Sequence, residues 1–254
     1  LDMDRLDYLR RDSFYSGVTE GSVNSERLLT MLNVKDDQLV VDAKGIYSVE
    51  KFLVARRLMY WQVYMHKTVL SAEFMLVNIL KRAKHLASQG IALPGTIALK
   101  HFLNADYSWN EFEENPAVLE KFVLLDDYDV MSAIKDWTNH SDTILSELSR
   151  RVTDRNLLKI RLQAEPFAPE VSARISEAIK SQYGFSHGEE QYMYIEAKVK
   201  NHAYNNKKGH INLLYKDGHI SDISQAADQM TIKALSEPVE RHFICFPREL
   251  KDLL

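Results

Sequence analysis

Between Gly45 and Gly90 the chain contains neither glycine nor proline. Ser48 can serve as an N-cap and Glu50 falls in the first turn, so the spacing predicts one helical element from residue 48 to residue 89. A helix of about 40 residues would be about 60 Å long at 1.5 Å per residue, longer than a small domain is wide. It is therefore expected to bend or break once and to form the spine of the fold.

The other elements are arranged around this spine. Residues 2–12 read as a short helix burying Leu6 and Leu9, and Gly17 and Gly21 interrupt the chain after it. A second helix is expected to run to Leu32 from Asn24 or Ser25, both N-cap types, and residues 39–46 suggest a hairpin turning at Lys44-Gly45. Beyond Pro94-Gly95, helical patterns cover 96–104, 109–114, 116–122, 129–137 and 141–152. Pro166 and Pro169 mark a linker, followed by a helix over 169–182, a strand over 192–199 and a hairpin around Asp217-Gly218. A last strand spans 243–246 before Pro247. The fold class expected is mainly α, with a helical region over 1–165 and a smaller α+β region over 166–254.

Composition narrows the function classes. A chain of 254 residues buries enough surface to fold without a disulfide or metal staple. The net charge of −4, from 32 basic and 36 acidic residues, lacks the basic excess of a dedicated nucleic-acid binder. The single cysteine, Cys245, excludes an internal disulfide and a cysteine-based zinc cluster. No signal peptide or membrane-spanning run is visible, which points to the cytoplasm and to no membrane partner. The chain opens at Leu1 inside a dense motif, so a fragment of a longer protein is expected.

Two helical stripes carry the chemistry. Asp4, Tyr8, Arg11 and Asp12 fall within one sector of the first helix, and Arg56, Tyr60, Tyr64 and Lys67 recur at helical spacing on the long one. Carboxylates, arginine and tyrosine are costly on a core-facing surface unless paired. On spacing alone, solvated helix faces are the better explanation of both stripes, because charge patterns of this kind are common on exposed helices.

The run Leu-Asp-Met-Asp-Arg-Leu-Asp-Tyr-Leu-Arg-Arg-Asp-Ser at residues 1–13 resembles a signature of the HD-domain phosphohydrolases, in their deoxynucleoside triphosphate triphosphohydrolase branch. Tyr64-Met65-His66-Lys67 is similar to that family's Tyr-Gln-His-Lys, with Arg56 at the matching distance before it. Residues 124–129 and the C-terminal hairpin region also look like bacterial members of the group. The resemblance implies the C-terminal part of a helical HD-domain bundle and a divalent metal (Mg, Mn, Fe or Zn) that activates water for attack on a phosphoryl group. It implies Asp4 as a metal ligand, Arg5 and Arg56 as phosphate-contacting cations, and Tyr8, Asp12 and Tyr64 at the sugar end of a nucleotide pocket. Tyr60 stands where a mammalian relative has histidine. A nucleotide substrate and a homodimer or homotetramer are implied likewise.

The chain departs from the family in one respect. No His-Asp dipeptide occurs in the 254 residues, and the nearest approach is His140-Ser141-Asp142. His85, His101, His210 and His219 lack metal-ligand spacing. Alternatively, the chain serves as a non-catalytic nucleotide- or nucleic-acid-binding or oligomerisation module; Lys198, Lys200, Lys207 and Lys208 beside Tyr204 and Asn205 form a modest basic cluster. Trp61, Trp109 and Trp137 are expected to be core or interface anchors, with core the default.

Overall fold

A computed structural model describes residues 2–201, 210–226 and 239–253. Helix α1 (Met3–Ser16) starts where the Asp2 carboxylate accepts from the Arg5 backbone N–H at 2.8 Å. It stops at Gly17, whose φ of 72° belongs to the left-handed region. Helix α2 (Ser25–Thr30) is capped by the Asn24 side chain, one of the two residues expected there.

The hairpin that follows lies earlier than the sequence suggested. Strands β1 (Leu32–Lys35) and β2 (Gln38–Asp42) turn at Asp36 and Asp37, both at positive φ. A two-residue hairpin turn of this hand needs positive φ at both centres, and aspartate tolerates it better than most residues. Lys44-Gly45 makes no hairpin turn. It sits in a short 3₁₀ segment, where a Cβ on Gly45 would come within 2.9 Å of the Met31 Cβ. Glycine is there for close approach.

The spine breaks once, as its length required. Helix α3 (Ile46–Met59) starts two residues before the expected cap Ser48 and passes into a π turn over Tyr60–Tyr64. There the Met65 N–H reaches back five residues to the Tyr60 carbonyl at 2.7 Å. Helix α4 (Lys67–Ser88) then ends near Gly90. Helices α5 (Ile97–Asn104), α6 (Trp109–Glu114), α7 (Pro116–Val123), α8 (Asp127–Trp137) and α9 (Thr143–Thr153) follow the sequence pattern closely. Strand β3 (Lys159–Gln163) occupies a segment for which no strand was expected. Helix α10 (Pro169–Tyr183) precedes β4 (Ile195–Asn201), β5 (Asn212–Leu214), β6 (Ile220–Asp222) and β7 (Val239–Phe246). Mainly α, with smaller sheets, is therefore the observed class.

The residues group into two compact units, one comprising 1–69 and 198–241, the other 70–197 and 242–254. The expected division at residue 165 follows element type along the chain; these units follow contacts in space. In the first, β1, β2, β5 and β6 form a four-stranded sheet in that order, with β2 and β5 parallel. Its core gathers Leu6 and Leu9 of α1, Leu28, Val41, Phe52, Leu53 and Met59, with Ile211, Leu213 and Ile223 from the late hairpin region. Every buried position of α3 obeys helical spacing.

The second unit buries Met75, Ile79, Ile134, Trp137, Leu145, Ile175 and Phe243. In it, β3 pairs antiparallel with residues 242–246 of β7. Trp137 donates its indole N–H to the Pro94 carbonyl at 2.9 Å. Trp109 departs from the core default: it is 76% exposed and donates to Glu113. Trp61 is half-buried. Among the described residues, no helix is long and apolar enough to cross a membrane.

Candidate nucleotide site

Helix α1 presents Tyr8 and Asp12 one turn apart, and α3 presents Arg56 one turn before Tyr60. Tyr64 closes the π turn. Its hydroxyl donates to Asp12 Oδ2 at 2.7 Å, joining residues 52 positions apart. The Tyr64 ring lies edge-on to Tyr8 at 6.0 Å and to Tyr60 at 5.1 Å between centroids. The Arg56 guanidinium carbon stands 5.1 Å from the Tyr60 ring centroid, within cation–π range. Five of the seven residues singled out by resemblance are thus in one half-buried cluster in the first unit.

The electrostatics follow from that burial. Burial first, then the hydrogen bond and charge of Asp12, hold the Tyr64 phenol well above its ordinary pKa, so it stays a donor at all physiological pH. Tyr8 is also raised by burial, while hydrogen bonding to Arg56 works in the opposite direction. The cluster thus sets a cation beside protonated phenols.

The other two residues lie outside this contact set. Arg5 is exposed and pairs with Asp2 at 3.3 Å, and Asp4 is exposed on the first turn of α1. Arg11, a member of the same spacing stripe, turns to Asp7 at 2.7 Å in solvent. Lys67 is exposed, and His66 accepts from the Thr68 N–H at the start of α4. The α1 stripe is thus half site and half solvated face. Sequence spacing passed over Arg10, Phe14 and Tyr15, which line a cleft of about 720 Å³ with Arg11 and Ser22.

A divalent metal does not fit the described residues alone. Among them no group of three or more His, Cys, Asp or Glu side chains could hold one. Asp142, of the nearest approach to a His-Asp pair, instead caps α9 by accepting from the Leu145 N–H and pairs with Arg82 at 2.6 Å. His85 contacts Gln89, His101 contacts Tyr107, His210 contacts Asp222, and His219 contacts Asp217. In the basic cluster, Lys198 and Lys200 both face Glu240, at 3.4 and 2.9 Å. Residues 202–209, which include Tyr204, Asn205, Lys207 and Lys208, lie outside the described residues.

Comparison with known proteins bears on the stretch that carries Arg56, Tyr60 and Tyr64. Residues 23–92 match the HD associated region. The chain is 36% identical over 159 residues to the uncharacterised Bacillus subtilis protein YwfO, covering 63% of this chain and 35% of that protein. It is 35% identical over 83 residues to a Dictyostelium discoideum protein named deoxynucleoside triphosphate triphosphohydrolase SAMHD1 homolog, covering 33% and 16% respectively. A crystal structure named phosphohydrolase, from Bacteroides thetaiotaomicron, superposes with a TM-score of 0.88 at 46% identity, covering 97% of this chain and 61% of that one. These similarities relate the chain to HD-type phosphohydrolases. The chain spans about a third of the Bacillus protein's length.

Proposed function

We propose that the chain is the substrate-facing portion of an HD-type, metal-dependent phosphohydrolase that converts deoxynucleoside triphosphates to nucleoside and inorganic triphosphate. The observation that carries this reading is the Tyr64–Asp12 hydrogen bond, with Tyr8, Tyr60 and Arg56 gathered around it. Arg56 offers fixed positive charge to phosphoryl oxygens, where most of the work of phosphoryl transfer lies. Tyr8, Asp12 and Tyr64 form a wall for the sugar. A 2′-hydroxyl pressed against such a ring loses water without gaining a partner, which favours deoxyribose. Arg5 is assigned to the phosphates. Asp4 is assigned as one metal ligand, to be completed by side chains beyond the described residues.

The test is triphosphate release from each dNTP, with Mg²⁺ or Mn²⁺ and with mixed dNTPs. It uses a polypeptide joining this chain to the additional sequence found in its longer relatives. Release is expected, and the chain by itself is expected to be silent. Asp4→Ala should abolish metal-dependent turnover with the fold intact. Absence of release with every dNTP would overturn the reading. Nucleotide binding without turnover would favour a non-catalytic binding module of the same family.

A further inference from the structure

An independent feature lies in the second unit, on elements that carry none of the residues just assigned. Helix α7 turns Leu119, Phe122 and Val123 to solvent at spacing i, i+3, i+4, so they share one face. Leu124 continues this surface at 70% exposure, and Tyr128 and Met131, one turn apart on α8, extend it. Single exposed apolar residues need no explanation, but six of them between residues 119 and 131, on two successive helices, are the kind of surface that a partner covers.

The charge around this stripe selects the partner. Residues 106–129 contain eight acidic side chains and one basic one, Lys121, whereas the whole chain carries only −4. Some of these carboxylates are used locally: Glu111 caps α6, Asp126 and Asp129 cap α8, and Asp106 pairs with Lys84. Glu114, Glu120 and Asp127 are exposed along the stripe. Such a field repels phosphate backbones and anionic lipid surfaces alike. It attracts a polypeptide whose own apolar side chains are flanked by lysine or arginine. We infer that the α7–α8 face docks a basic, amphipathic helical segment of a partner protein, with Leu119, Val123 and Leu124 as apolar anchors and Glu120 and Asp127 as the acidic rim.

The probe is a synthetic leucine–lysine peptide of about 18 residues with helical periodicity, set against an isomer of equal composition and scrambled order. Fluorescence anisotropy with the full chain reads the affinity. The periodic peptide is expected to bind about tenfold more tightly than its isomer. Replacing Leu119, Val123 and Leu124 by serine is expected to erase that preference with net charge and circular dichroism unchanged. The single variant Val123→Ser, which perturbs one exposed position, should weaken it in the same direction. Glu120→Gln with Asp127→Asn should flatten the salt dependence. Equal binding of the two peptides, or a serine variant that binds like the parent, would overturn the inference. So would self-association through this face, seen as a sedimenting dimer that the serine variant loses while the peptide fails to bind.

Discussion

The same three residue types, arginine, carboxylate and tyrosine, are gathered in both units, and the two gatherings differ in how their charges are answered. In the second unit, Arg82 is buried between Asp142 at 2.6 Å and Glu189 at 3.0 Å, with its guanidinium beside the Tyr192 ring. Arg151 is similarly held by Glu147, Glu249 and the Tyr183 hydroxyl. Each cation meets carboxylates, and Asp142 also caps a helix. In the first unit, Arg56 lies over a ring, and the carboxylate of Asp12 is met by a phenol instead of a cation. The first arrangement is a clasp between elements. The second joins helix α1 to α3 and its π turn through rings and a phenol–carboxylate hydrogen bond.

Mutations separate the two. Arg82→Ala is expected to cost about 3 kcal/mol, because it strands the part-buried carboxylates of Asp142 and Glu189, and urea denaturation would measure it. A loss below about 1 kcal/mol would reduce the clasp to a surface pair.

Acid supplies the next largest effect. Burial pushes the Asp142 carboxyl up, but Arg82 and the Leu145 N–H outweigh it and hold the pKa below its usual value. The stability this gives is therefore complete above the unfolded pKa of about 4 and is lost as pH falls below it. Thermal melts from neutral pH to pH 3 should show that acid loss in the parent and less of it in Asp142→Asn.

Tyr64→Phe is predicted to cost only about 1 kcal/mol of stability, one part-buried hydrogen bond, in the same denaturation assay. A penalty as large as that of Arg82→Ala would make the tyrosine cluster another clasp. The smallest effect belongs to Arg11→Ala. Its exposed one-turn pair with Asp7 should leave the melting temperature unchanged within error.

Much of this was readable in the sequence where local chemistry decides structure. Asn24 caps the helix whose start it marks, and α10 begins at Pro169 as its proline predicts. The hairpin around Asp217-Gly218 forms as its turn residues require, with Gly218 at φ 87°. The errors lie where long-range contact decides. Strand β3 carries an ambiguous pattern and becomes a strand by pairing with β7, about eighty residues later. Gly45 looks like a turn residue and is in fact a packing one. At the site, spacing placed Tyr8 and Asp12 on a shared face of α1. It gave no means of telling that Asp12 would meet Tyr64 while Arg11 turned to solvent.

The parallel pairing of β2 with β5 places Val41 beside Leu213 and Asp42 beside Leu214. A chain leaving the ribosome must therefore hold its first strands, with an open edge and an unfinished core, until residue 214 has emerged. The second unit waits longer still, for β7 at residues 242–246 to reach β3. Both units close through long-range pairings, Val41 with Leu213 in one and Ile160 with Cys245 in the other, so contact order bears directly on how fast this chain folds and how long it stays exposed to aggregation.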